Sequence, residues 1–263
     1  MKGNSGAKNI VKARSDISNF LIHLTKSGSY EEYTPFMKAP GHYIFKDSET
    51  LDAKDSLQEI IKQKIILARS PFGHFKFQIS VGYKQRGNIS LEWLQSICFS
   101  ESPLQELSSF YLATQATCEK VNNYQKYGLA FSQQLVRFKG GHPVIYFDAN
   151  NDTLVKAVDA QATLANRNTC RPLLPLYESF GKKLHSSVLG TKDYRWEREW
   201  RHVGHFKFQL SEVAFGLCPQ SEIPYFETLA QNQISFIDPD WSSTQTKDYL
   251  DKKGHIELLE LFS

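Results

Sequence analysis

Residues 195–217 read RWEREWRHVGHFKFQLSEVAFGL, and polar and apolar side chains alternate along most of that length. A period of two places successive side chains on opposite faces of an extended chain, so this stretch calls for one or two strands that are half covered. An echo sits upstream. Residues 73–80 read GHFKFQIS and residues 204–211 read GHFKFQLS. The flanks share nothing, and repeat folds need several units of roughly 20–50 residues. The echo therefore reads as a coincidence of two half-buried extended segments, with Phe75, Phe77 and Ile79 inward in one and Phe206, Phe208 and Leu210 inward in the other.

Other segments mix both periods. Residues 16–24 (DISNFLIHL) read as a first strand or short helix, and residues 27–43, rich in Gly, Ser, Pro and Tyr, as loop. Leu57, Ile60, Ile61 and Lys64 or Ile65 recur at helical spacing within 51–67. Residues 97–100 read as a strand, followed by a helix over 103–118 with Ser102 as its cap and Pro103 in its first turn. Strands are expected at 127–131 and 143–147, a short helix or turn at 132–139, and helices at 152–163, 173–188 and 247–261, the last interrupted by Gly254. No regular alternation of strand and helix emerges, and neither the dinucleotide-binding glycine fingerprint nor a P-loop is present. The expected class is α+β: one domain with a mixed or mostly antiparallel sheet flanked by helices, spanning 16–263 behind a mobile tail over residues 1–15.

Composition narrows the function classes. A net charge of +3 over 263 residues, with Lys and Arg dispersed among acids, does not make the clustered basic face of a nucleic-acid-binding domain. Cys98, Cys118, Cys170 and Cys218 are widely spaced and form no zinc motif, which points to free thiols in a reducing cytoplasm. No apolar run reaches membrane-spanning length, and the start MKGNSGAKNIVKARSD lacks a signal-peptide core, so a cytoplasmic protein is expected.

The chemistry-bearing block is Arg195–Arg201. Read as a strand, it puts Glu197, Glu199 and Arg201 on one face and Trp196, Arg198 and Trp200 on the other. Two carboxylates beside a guanidinium perturb each other's protonation and make a polar site over a tryptophan floor. The alternative is an exposed edge strand laced with Glu–Arg pairs. His23 and Thr25 close the first apolar run, Ser100 and Glu101 end a strand where a small polar group reaches a ligand or caps a helix, and Tyr127 begins another strand. Asp148 and Asp152, joined by Glu197 or Glu199, would suit a metal-dependent nuclease, the least favoured of the readings. No G-x-S-x-G nucleophile elbow is present.

The order Cys98–Glu101, a helix, Tyr127–Phe131, Pro143–Tyr146, Trp196–Arg201 and Val213–Gly216 resembles the AbiGi-type abortive-infection proteins of bacteria, which act in phage resistance and are often described as the antitoxin of a two-gene system. The likeness spans about residues 20–220, with the Glu197–Arg201 block its strongest element. The layout is more distantly similar to the ADP-ribosyltransferases, DarT-type toxins included, in which an early strand offers His or Arg, a middle strand Ser, Thr or Tyr, and a late strand Glu. That resemblance implies NAD as cofactor, His23 with Thr25 on the adenosine-ribose side, Ser100 or Tyr127 in the middle position, Arg201 beside them, and Glu197 or Glu199 as the catalytic carboxylate. It implies a protein or nucleic-acid acceptor. The antitoxin reading implies instead a toxin or defence-system partner and no catalysis.

Overall fold

Among the described residues four strands carry apolar side chains on both faces, and this decides the architecture. In a computed structural model, which describes residues 19–26, 28–29, 50–68, 70–75, 91–101, 124–163, 167–181 and 195–254, the first strand β1 (Phe20–Lys26) sends Leu21 into one apolar cluster and Phe20, Ile22 and Leu24 into another across the sheet. Its neighbours must be covered on both sides as well, and helices supply the cover.

In chain order β1 is followed by β2 (Gly28–Ser29), β3 (Thr50–Leu51), α1 (Ala53–Gln63), β4 (Ile65–Ile66), β5 (Ser70–Pro71), β6 (Gln95–Ser100), β7 (Tyr124–Ser132), α2 (Gln133–Phe138), β8 (Gly141–Pro143) and β9 (Ile145–Asp148). Then come α3 (Asp152–Gln161), α4 (Arg167–Cys170), β10 (Tyr177–Phe180), β11 (Glu199–Val203), β12 (Phe206–Lys207), β13 (Val213–Leu217), α5 (Ile223–Leu229), β14 (Phe236–Ile237) and α6 (Ser243–Lys252). The eight-stranded main sheet runs β14-β13-β7-β1-β6-β11-β8, with β5 paired to β6 beside that path. All its pairings are antiparallel except β13 with β14. The expected α+β class, with a mostly antiparallel sheet flanked by helices, is what forms.

β1 meets β6 through one register pair, Ile22 with Ser100, and β5 takes the far end of β6 at Ser96 and Gln95. Past the Ile22–Ser100 pair the His23 side chain bridges the two strands, its Nδ1 reaching the carbonyl of Cys98 at 2.9 Å. One face of the sheet packs under α1 and α5, through Ala53, Leu57, Ile61, Ile223 and Phe226. Its centre is an edge-to-face phenylalanine set: Phe99 and Phe131 lie 5.3 and 5.1 Å from Phe206, and Phe131 lies 5.2 Å from Phe208. The opposite face takes Leu250 of α6.

The helices form where capping chemistry allows. Asp52 accepts the amide of Asp55 at 2.7 Å to start α1, and Lys64 ends it in a left-handed conformation at φ 55°. The expected helix over 51–67 is shorter because Ile65 and Ile66 pair with Lys207 and Phe206 instead. The expected strand over 143–147 is broken at Val144, whose amide donates to the carbonyl of Glu199 at 2.9 Å. Before that point the chain extends the main sheet as β8. After it the chain forms β9 of a separate parallel pair with β10. The helix expected over 173–188 does not form in its described part. Pro172 and Pro175 hold Arg171–Leu176 in a 3-10 turn, and Tyr177–Phe180 is strand β10. The first GHFKFQIS copy is not extended where described: His74 and Phe75 begin a helical turn, with Phe75 buried, while Phe77 and Ile79 lie outside the described residues. In the second copy Phe206, Phe208 and Leu210 all point inward as expected. The tail expected over 1–15, the helix over 103–118 and the end of the helix beyond Gly254 lie outside the described residues. Among the described residues no helix is long and apolar enough to cross a membrane.

Close packing of α5 and β14 on β13 depends on Gly216. A Cβ added there would lie 2.1 Å from a ring carbon of Phe236, which is fully buried. Gly216→Ala is expected to lower stability by about 1–3 kcal/mol through forced repacking, read as a lower urea midpoint with an unchanged m-value.

Candidate functional site

The most demanding group in the molecule is the guanidinium of Arg201, 2% exposed at the centre of β11. A buried charge persists only when it is paired and hydrogen-bonded. Its Nε donates to Glu199 Oε1 at 2.9 Å and its Nη2 to Glu199 Oε2 at 2.8 Å, a side-on bidentate pair between residues two apart on one strand face. Nη2 also donates to Glu178 Oε2 at 2.7 Å, and Nη1 to the carbonyl of Pro175 at 2.6 Å. The Phe72 ring lies 5.4 Å from the guanidinium carbon. Gly73 completes the cradle: its φ is 93°, and a Cβ there would lie 3.2 Å from Nη1 and 2.9 Å from the carbonyl of Tyr177.

Burial works against the charged guanidinium, yet the Glu199 carboxylate, with Glu178 beside it, holds Arg201 protonated well above its ordinary range. The same burial, with the Glu199 charge next, pushes the Cys98 thiol up, so this cysteine is a neutral hydrogen-bond partner of Glu199 and not a thiolate nucleophile. The phenol of Tyr146 is pushed up by burial and then by Glu199. Tyr146 stands beside Glu178 in the parallel β9–β10 register.

The expected strand over 195–201 begins only at Glu199. Arg195–Glu197 is a 3-10 turn, and Arg198 takes a left-handed conformation at φ 45°. This kink breaks the alternation that would have put Glu197, Glu199 and Arg201 on one face. Glu199 and Arg201 do share a face, and Glu197 sits half-buried on the turn before it. Arg198 reaches Glu101 at 3.2 Å, and Trp200 Nε1 donates to Glu101 Oε2 at 3.1 Å, on the side of the sheet away from Arg201. Glu101 thus anchors the kink and does not cap a helix among the described residues.

The other expected site residues divide between the two faces. Ser100 ends β6 opposite both Ile22 and Glu199 in register, and by alternation it shares the face of Cys98 and Glu199. His23, Thr25 and Tyr127 lie on the opposite, α1-covered face. His23 Nδ1 donates to the carbonyl of Cys98 at 2.9 Å, and its ring packs edge-on 5.9 Å from Phe99. Thr25 donates to the carbonyls of Ala53 at 2.7 Å and Tyr127 at 3.2 Å, stapling α1 to the sheet. The Tyr127 hydroxyl donates to Glu222 Oε1 at 3.1 Å over Phe226. The structure thus gathers Ser100, Glu199 and Arg201, and separates them from His23, Thr25 and Tyr127 by the thickness of the sheet.

Asp148 Oδ1 accepts from the amide and side chain of Asn150, closing a local turn. Among the described residues no group of three or more His, Cys, Asp or Glu is placed to hold a metal ion.

Two groupings went unseen in the sequence. Glu178 was hidden in a segment that reads as helix. Asp159, His74 and Ser179 line up, with His74 Nε2 at 3.0 Å from Asp159 and Nδ1 at 3.4 Å from Ser179. The residue types are those of a hydrolase triad, but Ser179 is 2% exposed and its contact with the ring is at the limit of hydrogen bonding, so it cannot serve as a nucleophile as placed.

No family model matches the chain, and no curated protein or solved structure matches it either.

Two phenols hydrogen-bonded to carboxylates, the buried Tyr127 and the half-buried Tyr249, give a pH test of this packing. Tyr127 is pushed up by burial and then by the Glu222 charge, and Tyr249 by burial and then by its hydrogen bond to Glu227. The unfolded chain releases these protons near pH 10 while the folded chain keeps them. Stability is therefore whole below about pH 10 and falls as pH rises above it. Tyr127→Phe is expected to flatten that fall, measured as urea midpoints between pH 8 and 11; an unchanged slope would contradict the placement of Tyr127.

Proposed function

We propose that this chain is a NAD-dependent ADP-ribosyltransferase of bacterial antiphage defence, with Glu199 as the carboxylate that acts on NAD. The observation that carries the reading is strand adjacency. The early, middle and late strands of the expected layout are neighbours in the sheet, β1-β6-β11, and they meet where Ile22, Ser100 and Glu199 lie in one register line.

Cleavage of the bond between nicotinamide and ribose develops positive charge on the ribose. A carboxylate fixed in advance stabilises that charge without reorganising. Arg201 fixes Glu199 through both oxygens. The side chain is 9% exposed, so the ligand meets one edge of it. In this reading Glu197, half-buried on the preceding turn, serves the acceptor, a protein or a nucleic acid. His23, Thr25 and Tyr127 belong in this reading to the support of the sheet, on the face away from Glu199.

One observation favours a non-catalytic reading, an antitoxin or regulator bound to a toxin partner: both oxygens of Glu199 already serve a buried ion network of the kind that holds structure alone.

Purified protein offered NAD with a cell lysate or with DNA is expected to release nicotinamide and label an acceptor. Glu199→Gln, which keeps one acceptor oxygen for Arg201, is expected to lose at least 100-fold in rate, and Glu197→Gln roughly tenfold or less. NAD left intact with every acceptor, no NAD-dependent rise in melting temperature, and phage protection unaltered by Glu199→Gln would together select the non-catalytic reading.

A further inference from the structure

Glu199 alone does not set the orientation of Arg201. The pair sits two residues apart on one strand, and its bidentate bond ties the guanidinium to Glu199 without tying either to the elements around them. The remaining contacts come from elsewhere. Glu178 belongs to β10, in the parallel pair outside the main sheet, and Pro175 to the 3-10 turn leading into it. Glu178 shares with Glu199 the one nitrogen Nη2, at 2.7 and 2.8 Å. Both carboxylate side chains are largely buried, at 9% exposure each.

We infer that Glu178 is a positioning residue for the Glu199 carboxylate, acting through Arg201. This rests on the reading of Glu199 as the group that acts on NAD. Glu178 touches no reacting atom. It draws Nη2 toward β10 and so locks the plane of the guanidinium, and that plane dictates where the two oxygens of Glu199 lie. The Pro175 carbonyl fixes the other arm, and Gly73 leaves room for it. The small β9–β10 sheet thereby becomes part of the site instead of a decoration on its edge. Its register with the main sheet is tied by the bond from the Val144 amide to the Glu199 carbonyl.

The test pairs a geometric readout with a kinetic one. Nitrogen NMR of the Arg201 side chain is expected to show distinct, slowly exchanging Nη signals in the wild type and in Glu178→Gln, which keeps an acceptor oxygen. In Glu178→Ala those signals should average. In the NAD cleavage assay Glu178→Ala is expected to lower kcat about 100-fold, as displacement of a reacting group does, with KM for NAD within twofold. Arg201→Lys should lower kcat comparably, and the double variant should lose no more than Arg201→Lys alone. Additive losses in the double variant, or Arg201 signals that stay distinct in Glu178→Ala, would overturn the proposal. Averaged signals in a protein whose wild type leaves NAD intact would keep the positioning of Glu199 and overturn the transferase reading.

Discussion

Everything around β11 depends on burying one guanidinium. A charge as buried as that of Arg201 is tolerable only if its donors find acceptors, because an unpaired buried ion costs several kcal/mol. The acceptors are drawn from three separate places in the chain: Glu199 on the same strand, Glu178 on β10 and the carbonyl of Pro175. The need to satisfy Arg201 thus brings the parallel β9–β10 pair and the turn before it against the main sheet. It also dictates a glycine at position 73, where any side chain would collide with the cradle. Hydrophobic burial alone would dock these elements loosely; two carboxylates on one fork specify where they stop.

The second constraint is the kink at Arg198. A non-glycine residue at φ 45° carries a conformational cost that its surroundings must offset. Here the offset is visible. The Arg198 carbonyl accepts from the Glu101 amide at 3.3 Å, and its side chain pairs with the Glu101 carboxylate. Trp200 donates to that same carboxylate. The kink separates Glu197 from Glu199 and gives the two acids different environments, one half-buried on a turn and one fixed beneath it.

Much of the scaffold is legible in the chain itself. The period-two runs at 97–100, 127–131 and 199–203 form strands, and Leu57 and Ile61 face the core from a capped helix. The site is legible only in part. The pairing of Glu199 with Arg201 follows from alternation, but the membership of Glu197 on that face fails because one residue adopts a left-handed conformation that no periodicity announces. Glu178 was masked by its neighbours: Pro172, Pro175 and the leucines beside them resemble a helix start, while the pairing partner that makes Tyr177–Phe180 a strand lies more than thirty residues upstream. His23, Thr25 and Tyr127 have the side chains of a binding site, yet they make structural bonds: His23 reaches the Cys98 carbonyl within the sheet, Thr25 ties the sheet to α1, and Tyr127 reaches Glu222 beside α5.

By itself the sequence determined the class of fold and the pairing of Glu199 with Arg201, because both follow from local periodicity: alternation makes strands, and residues two apart on a strand share a face. Only the tertiary structure decided which strands are neighbours, where β11 begins, and that Glu178 closes the charge network. Those outcomes depend on long-range pairing and on satisfying one buried ion, and neither leaves a mark on any single stretch of residues.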